Sequence, residues 1–324
     1  MPRIGVDCVI MEIGDGRSPQ EVASELTGVP GVAWSQPLNE FRMQGTSDTP
    51  IGSYNDRLYR AQPVANRWHL ADLHRVATGR GVTIAVVDSR IDTTHPDLTG
   101  QIAATPNFAP IRDQEGERHG TRVAGIIAAR VNNVQGIAGI APGARVLGVR
   151  ACWEKPRGGA TVCDSLSLAK ALTYTLDSHA DIVNLSLSGP RDRLLEALIS
   201  LAISRGTTVV AAVDEMQPEA SFPAFVAGVI PVADERLSAR ANAVYIAPGR
   251  DIPTTEPEGK WNLVNGSSFA AAHVSGLVAI LRQLSGNHGK ASAAALLGSR
   301  GPVDACAAVE RLSRVDVGAC QDNN

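Results

Sequence analysis

Val82-Thr83-Ile84-Ala85-Val86-Val87-Asp88 is an unbroken run of mostly β-branched residues that closes on a carboxylate. A short run apolar on both faces reads as a strand buried on both sides, which is how strands of a helix-covered parallel sheet look. Runs of the same kind recur at 145–150, 181–187, 207–213, 226–232 and 243–246, with helical stretches at 119–129, 164–178 and 191–205 between them. A longer apolar run, 270–284, meets no breaker before Ser285-Gly286 and reads as a buried helix. The alternation predicts an α/β fold of three layers, a mostly parallel sheet with helices on both faces. Ligands of such sheets bind beyond the carboxyl ends of the strands. That rule points to Asp88 at a strand end, and to His119 and Ser268 at helix starts.

The bulk composition agrees with a large folded domain. The chain has 324 residues, 44% hydrophobic and 19% charged, with a net charge of −3. Nothing in that balance favours nucleic acid as a partner, and no apolar run reaches the length of a membrane span. The first thirteen residues carry Asp7 and Glu12 within an apolar run and no cleavage-site pattern, so they do not read as a secretory signal. Cys152 and Cys163 flank one short loop, Cys306 and Cys320 another, and Cys8 is left over. Two local disulfides and an oxidising compartment are expected, against the alternative of buried thiols.

Residues 1–45 read as a small separate β-α-β unit. Strand-like segments at 6–13 and 32–37 flank a helix that starts at Ser18-Pro19-Gln20-Glu21, with Pro at the first helical position and Glu closing a capping box. Residues 46–57 are polar and turn-rich and read as a linker, leaving 58–324 as the main domain.

Asn265-Gly266-Ser267-Ser268-Phe269-Ala270 feeds a turn into the long apolar helix. A serine there is either an N-cap or a nucleophile beside free helix N–H groups. A serine hydroxyl needs a base to take its proton, and the base needs an acceptor to fix its tautomer. Asp88, His119 and Ser268 supply acid, base and nucleophile in that order.

The local sequences around all three resemble the subtilisin-like serine peptidases: Val86-Val87-Asp88-Ser89, Thr94-His95-Pro96-Asp97-Leu98, His119-Gly120-Thr121-Arg122-Val123-Ala124-Gly125, and Gly266-Ser267-Ser268-Phe269-Ala270 through His273-Val274-Ser275-Gly276. The resemblance implies that Asp88 orients, His119 is the general base and Ser268 attacks. It also implies substrate binding by β-addition to Ser186, Leu187, Ser188 and Gly189, with Gly158, Gly159 and Ala160 as the opposite edge.

Three departures stand out. Asp214 occupies the position of the family's oxyanion asparagine, and an ionised carboxylate cannot donate. Activity is therefore expected to rise on moderate acidification; the alternative is that Asp214 points away and the Ser268 N–H carries the oxyanion hole, with Ser267 as a helper donor. Val213 replaces a glycine of the primary specificity pocket, which is expected to narrow it. Arg90 stands where glycine usually follows Asp-Ser. The stretch 130–139 resembles the family's main calcium loop. It implies a structural Ca²⁺ held by Asp97 and Asn133 side chains and the carbonyls of Val131, Gln135 and Ile137, with Gln62 as a further oxygen. The N-terminal unit resembles the latter half of the family's inhibitory propeptide, with 41–45 in the cleft.

These implications converge on a secreted or periplasmic serine endopeptidase acting on polypeptides as a monomer, with no cofactor for catalysis. The alternatives are a weak or inactive binding protein on the same scaffold, marked by Asp214, and an esterase or peptide ligase.

Overall fold

The computed structural model describes residues 9–38, 54–111, 115–155, 159–217, 221–240, 242–286 and 292–313. The chain divides into two compact units, Met1–Thr49 and Pro50–Asn324.

In the first unit the described residues form one helix, α1 (Pro19–Thr27). Its capping box is complete: the Ser18 hydroxyl accepts the Glu21 N–H and the Glu21 carboxylate accepts the Ser18 N–H. The flanking strands expected from the sequence are absent from 9–13 and 32–37. Val9 and Ile10 are more than four-fifths exposed, and strand-like sequence without a paired neighbour has no ladder to join.

The second unit begins earlier than the expected linker boundary. Tyr54 packs edge-on against Tyr59, and the buried Asp56 carboxylate accepts the N–H groups of Asn132 and Asn133 at 2.9 and 3.0 Å. Two short helices, α2 (Pro63–Arg67) and α3 (Leu70–Val76), lead into β1 (Thr83–Asp88). Then follow β2 (Ile102–Ala104), α4 (Arg118–Ala128), β3 (Arg145–Arg150), the hairpin β4 (Cys152–Glu154) and β5 (Thr161–Cys163), and α5 (Ser165–Asp177). Next come β6 (Ile182–Leu185), α6 (Arg193–Ser204), β7 (Thr208–Ala212), β8 (Ile230–Ala233), β9 (Tyr245–Ile246) and a second hairpin, β10 (Ile252–Glu256) and β11 (Lys260–Val264). The chain closes with α7 (Ser267–Ser285), α8 (Ala293–Leu297), β12 (Gly301–Pro302) and α9 (Ala305–Ser313).

Eight strands form one sheet in the order β12-β9-β8-β7-β6-β1-β3-β2, and every pairing in it is parallel. Side chains alternate between two cores, as strand geometry requires. Ile84 and Val86 face the core shared with α4 and α7, whereas Ala85 and Val87 face the core shared with α5 and α6. The result is the expected three layers. From β1 the chain goes to β3 on one side and β6 on the other, so the strand order reverses beside β1. Its C-terminal residue, Asp88, therefore sits at the topological switch point where such sheets leave a crevice.

α7 is apolar nearly all round and runs through the middle of one helical layer, with fifteen of its nineteen residues buried. It begins at Gly266, whose φ of 134° and ψ of 162° suit only glycine.

Candidate active site

Three elements bring Asp88, His119 and Ser268 to one cleft of about 750 Å³, walled by residues 161–165 on one side and 186–192 on the other. β1 supplies Asp88, which is buried and accepts the Ser89 N–H at 2.6 Å. α4 supplies His119 in its first turn. The helix packs so close to the strand end that a Cβ on Gly120 would lie 2.2 Å from the Ser89 carbonyl oxygen, so the residue after the histidine has to be glycine. That approach sets His119 Nδ1 at 2.8 and 2.9 Å from the two carboxylate oxygens of Asp88. Burial works against a charged imidazole. The charge and hydrogen bond of Asp88 outweigh it, Glu154 adds to them and Arg122 subtracts, and the net displacement is above the ordinary histidine range.

α7 supplies Ser268. Its hydroxyl donates to the Ser186 carbonyl at 3.0 Å, and the Ser186 hydroxyl donates to the Ser268 carbonyl at 2.9 Å. The imidazole lies over the adjacent ring of Phe269, centroids 5.8 Å apart. The backbone N–H of Ser268, in the first helical turn, has no partner among the described residues. Such an orphan donor is what an oxyanion requires.

The cleft wall at 186–190 includes Ser186, Leu187, Ser188 and Gly189. The opposite wall differs by a few positions. Gly159 and Ala160 are exposed and form the hairpin turn, bonded to Lys155, while Thr161 and Val162 line the cleft; Gly158 lies outside the described residues. Cys152 and Cys163 form the expected disulfide across this hairpin, where they are direct cross-strand partners. Of the second expected pair, Cys306 is buried and Cys320 lies outside the described residues, as does Cys8.

Asp214, Ser267 and Val213 are not among the residues walling the cleft. The Asp214 carboxylate accepts the N–H groups of Met216 and Gln217 at 2.8 and 3.3 Å and the Ser188 hydroxyl at 3.3 Å. Ser267 is not placed as an oxyanion helper. Its N–H and hydroxyl both donate to Glu215, at 3.1 and 3.3 Å, and the hydroxyl accepts the Asp234 N–H at 3.2 Å. Val213 does not narrow the cleft either: it shares the parity of Val209 and Ala211 and packs into the core beneath α5 and α6. Arg90 needs no glycine geometry, because its φ is not positive, and its N–H is held by Glu117 at 2.6 Å.

The expected calcium ligands are adjacent, but their oxygens already meet protons. Asp97 is fully buried, and its Oδ1 accepts the Asn133 amide at 2.8 Å. Its Oδ2 accepts the indole N–H of Trp261 at 2.7 Å and the Ile137 N–H at 3.1 Å. Asn133 Oδ1 accepts the Gln135 N–H, and Gln62 bonds both backbone groups of Ala138. A Cβ on Gly136 would lie 2.0 Å from both Asp97 Oδ2 and Trp261 Nε1, so no space is left beside that carboxylate. Among the described residues no three His, Cys, Asp or Glu side chains converge on a metal position. So arranged, the side chains do not fit a resident calcium ion, and the open carbonyls of Val131, Gln135 and Ile137 have no carboxylate free to join them.

The chain is similar to known proteins over most of its length. Residues 79–299 match the model of the Subtilase family. The chain is 37% identical over 261 residues to the thermophilic serine proteinase of Bacillus sp. (strain AK1), covering 77% of this chain and 60% of that protein. It is 34% identical over 218 residues to thermitase of Thermoactinomyces vulgaris, covering 64% of this chain and 76% of thermitase. Fervidolysin of Fervidobacterium pennivorans, described as a keratinolytic enzyme related to subtilisin, superposes with a TM-score of 0.67 at 26% identity, covering 84% of this chain and 48% of fervidolysin.

Proposed function

The chain belongs to the subtilase family and is a subtilisin-like serine endopeptidase; from that premise we propose that Ser268 is its nucleophile, His119 its general base and Asp88 the acid that orients the base. The observation carrying this reading is the two-oxygen contact of the buried Asp88 with His119 Nδ1, which leaves Nε2 as the free ring nitrogen in the cleft that also holds Ser268. Rotation about the Ser268 Cα–Cβ bond takes the hydroxyl from the Ser186 carbonyl toward that nitrogen. His119 removes the proton as Oγ attacks the peptide carbonyl, and Asp88 stabilises the imidazolium. The oxyanion is met by the Ser268 N–H. His119 then gives the proton to the leaving amine, and water repeats the sequence on the acyl-enzyme.

Substrate lies extended between 186–190 and 161–163, adding main-chain hydrogen bonds to both edges. Residues 1–45 act as an inhibitory propeptide, with 46–53 joining them to the peptidase domain. This is tested by deleting 1–45 and measuring inhibition by the isolated segment. The Cys152–Cys163 disulfide supports an oxidising, extracytoplasmic setting. Among the described residues no helix is long and apolar enough to cross a membrane.

One observation favours a second reading, a weak or inactive binding protein: a carboxylate, Asp214, stands where an oxyanion donor is expected. Covalent labelling by a fluorophosphonate, abolished in Ser268→Ala, supports the peptidase. A wild-type chain that takes no label at any pH supports the binding protein. Turnover of amide against ester substrates, with and without an amine acceptor, separates hydrolysis of peptides from esterase or ligase activity.

A further inference from the structure

The first turn of α4 has four backbone donors with no partner inside the helix, and their partners single out Glu154. Glu117 N–H goes to the Arg90 carbonyl at 2.7 Å and Gly120 N–H to the Ser89 hydroxyl at 2.9 Å. The helix's own N-cap residue, Glu117, makes no side-chain cap. Its carboxylate takes Arg150 at 3.0 and 3.1 Å, the Arg90 N–H at 2.6 Å and the Glu154 N–H at 3.0 Å. The two remaining donors, the N–H groups of Arg118 and of His119 itself, both go to Glu154 Oε1, at 2.6 and 3.3 Å. Glu154 Oε2 takes Arg118 Nε at 3.1 Å. A helix N-terminus normally finds such an acceptor in the residue that starts it; this one receives it from a strand 36 residues downstream.

The strand concerned is half of the cleft wall. Glu154 ends β4, and its cross-strand partner in β5 is Thr161, which lines the cleft. The Cys152–Cys163 disulfide closes the other end of the same hairpin. One carboxylate therefore fastens the wall of the substrate cleft to the helix that carries the imidazole.

We propose that Glu154 is a positioning residue for peptide hydrolysis: it anchors the first turn of α4, keeps His119 seated on Asp88, and couples that seat to the strand against which substrate lies. The proposal rests on His119 being the base. The charges facing His119 are Asp88 from β1, Glu154 from β4, and Arg122 and Arg118 on α4 itself. Arg122 is paired with Glu256 of β10 at 2.6 Å. Asp164 lines the cleft at the start of α5, and α7 presents the uncharged ring of Phe269. Glu154 thus adds negative charge on the side where the imidazolium forms, and its loss acts on the chemical step rather than on substrate binding.

Two substitutions separate the charge from the anchor. Glu154→Gln keeps an acceptor for both N–H groups and removes the charge; Glu154→Ala removes both. Values of kcat and KM are measured across pH on an extended peptide amide, with the His119 imidazole titrated by NMR. In Glu154→Gln the acid limb of kcat/KM and the imidazole titration are both expected about half a pH unit lower, with plateau kcat down about threefold. In Glu154→Ala, kcat is expected to fall about tenfold or more, with KM within about twofold of wild type. An unshifted imidazole titration and acid limb with unchanged kcat in Glu154→Gln overturns the proposal, as does a loss that falls wholly on KM. If Glu154→Ala does not fold, the near-isosteric Gln variant still decides. A wild-type chain without activity refutes the peptidase reading alone, and the imidazole titration then still tests what Glu154 does to His119.

Discussion

Ser186 and Ser268 hold each other's backbone: each hydroxyl donates to the other's carbonyl, at 2.9 and 3.0 Å. The pair joins the end of β6 to the start of α7. Behind it, Asn184 donates to the Ser186 hydroxyl and accepts the Ser275 hydroxyl, both at 2.9 Å. The nucleophile is thus fixed through its main chain while its side chain rests on a neutral acceptor. Removing the Ser186 hydroxyl frees the Ser268 carbonyl without touching the Oγ contact. Ser186→Ala is expected to lower kcat about threefold to tenfold, as the loss of one hydrogen bond of about 1 kcal/mol predicts, with KM nearly unchanged. Steady-state kinetics beside a thermal melt would show whether the loss is confined to turnover.

Asp214 offers a gain-of-function test. Its carboxylate is held by Met216, Gln217 and Ser188. An asparagine keeps one oxygen for the two N–H groups and turns an N–H₂ toward the Ser188 side. A single oxyanion donor is worth about 2.7–4 kcal/mol, a figure measured on subtilisin itself. Asp214→Asn is expected to raise kcat at neutral pH by about tenfold to a hundredfold, less than that full value because the loop is not preorganised for it. Equal profiles for variant and wild type from pH 5 to 8 would remove Asp214 from the oxyanion site.

The sheet and the three site residues were legible because their signals are local. β1 is apolar from Ile84 to Val87 and closes on Asp88, and the blocks around His119 and Ser268 carry their own glycine and serine turns. What was not legible depends on contacts distant in sequence. Glu154 lies 35 positions from His119, and nothing near it says that its side chain crosses to α4. Trp261 sits in the β10–β11 hairpin, outside every element expected from the sequence, and its indole meets Asp97. Val213 is a different case. Strand parity with Val209 and Ala211 was present in the sequence and places it in the core, but the family pattern suggested the pocket instead.

Acid should weaken the fold through two histidines away from the reacting atoms. Burial pushes the imidazoles of His74 and His273 down to about 4. His74 bonds Tyr54 at 2.6 Å and the Ile140 carbonyl at 2.8 Å; His273 bonds the Phe269 carbonyl at 2.9 Å and meets Trp68 edge-on. Both native-state values lie below the unfolded one, so the unfolded chain binds more protons between about pH 6.5 and 4. Stability is therefore full above about pH 6.5 and falls as pH drops toward 4, by about 1.4 kcal/mol per pH unit for each histidine. Chemical denaturation at pH 7, 6 and 5 should show that slope, and His74→Gln should roughly halve it. A slope unaltered in the variant would place the acid sensitivity elsewhere.

Metal dependence can be decided at one indole. With Asp97 satisfied by Asn133, Ile137 and Trp261, the loop at 131–137 is braced by the β10–β11 hairpin, where His95 also bonds the Lys260 carbonyl at 2.9 Å and stacks edge-on with Trp261. Chelation by EGTA is therefore expected to leave the melting temperature within about 1 °C, far below the several degrees that a change of 1 kcal/mol or more would produce. Trp261→Phe keeps the ring and removes the N–H, leaving a buried carboxylate one donor short at a cost of about 1.5–3 kcal/mol. Because a cation could then approach the freed oxygen, added calcium is expected to restore part of the lost melting temperature in the variant while doing nothing for the wild type. A wild-type chain that melts several degrees lower in EGTA would show that Asp97 exchanges its indole partner for a metal.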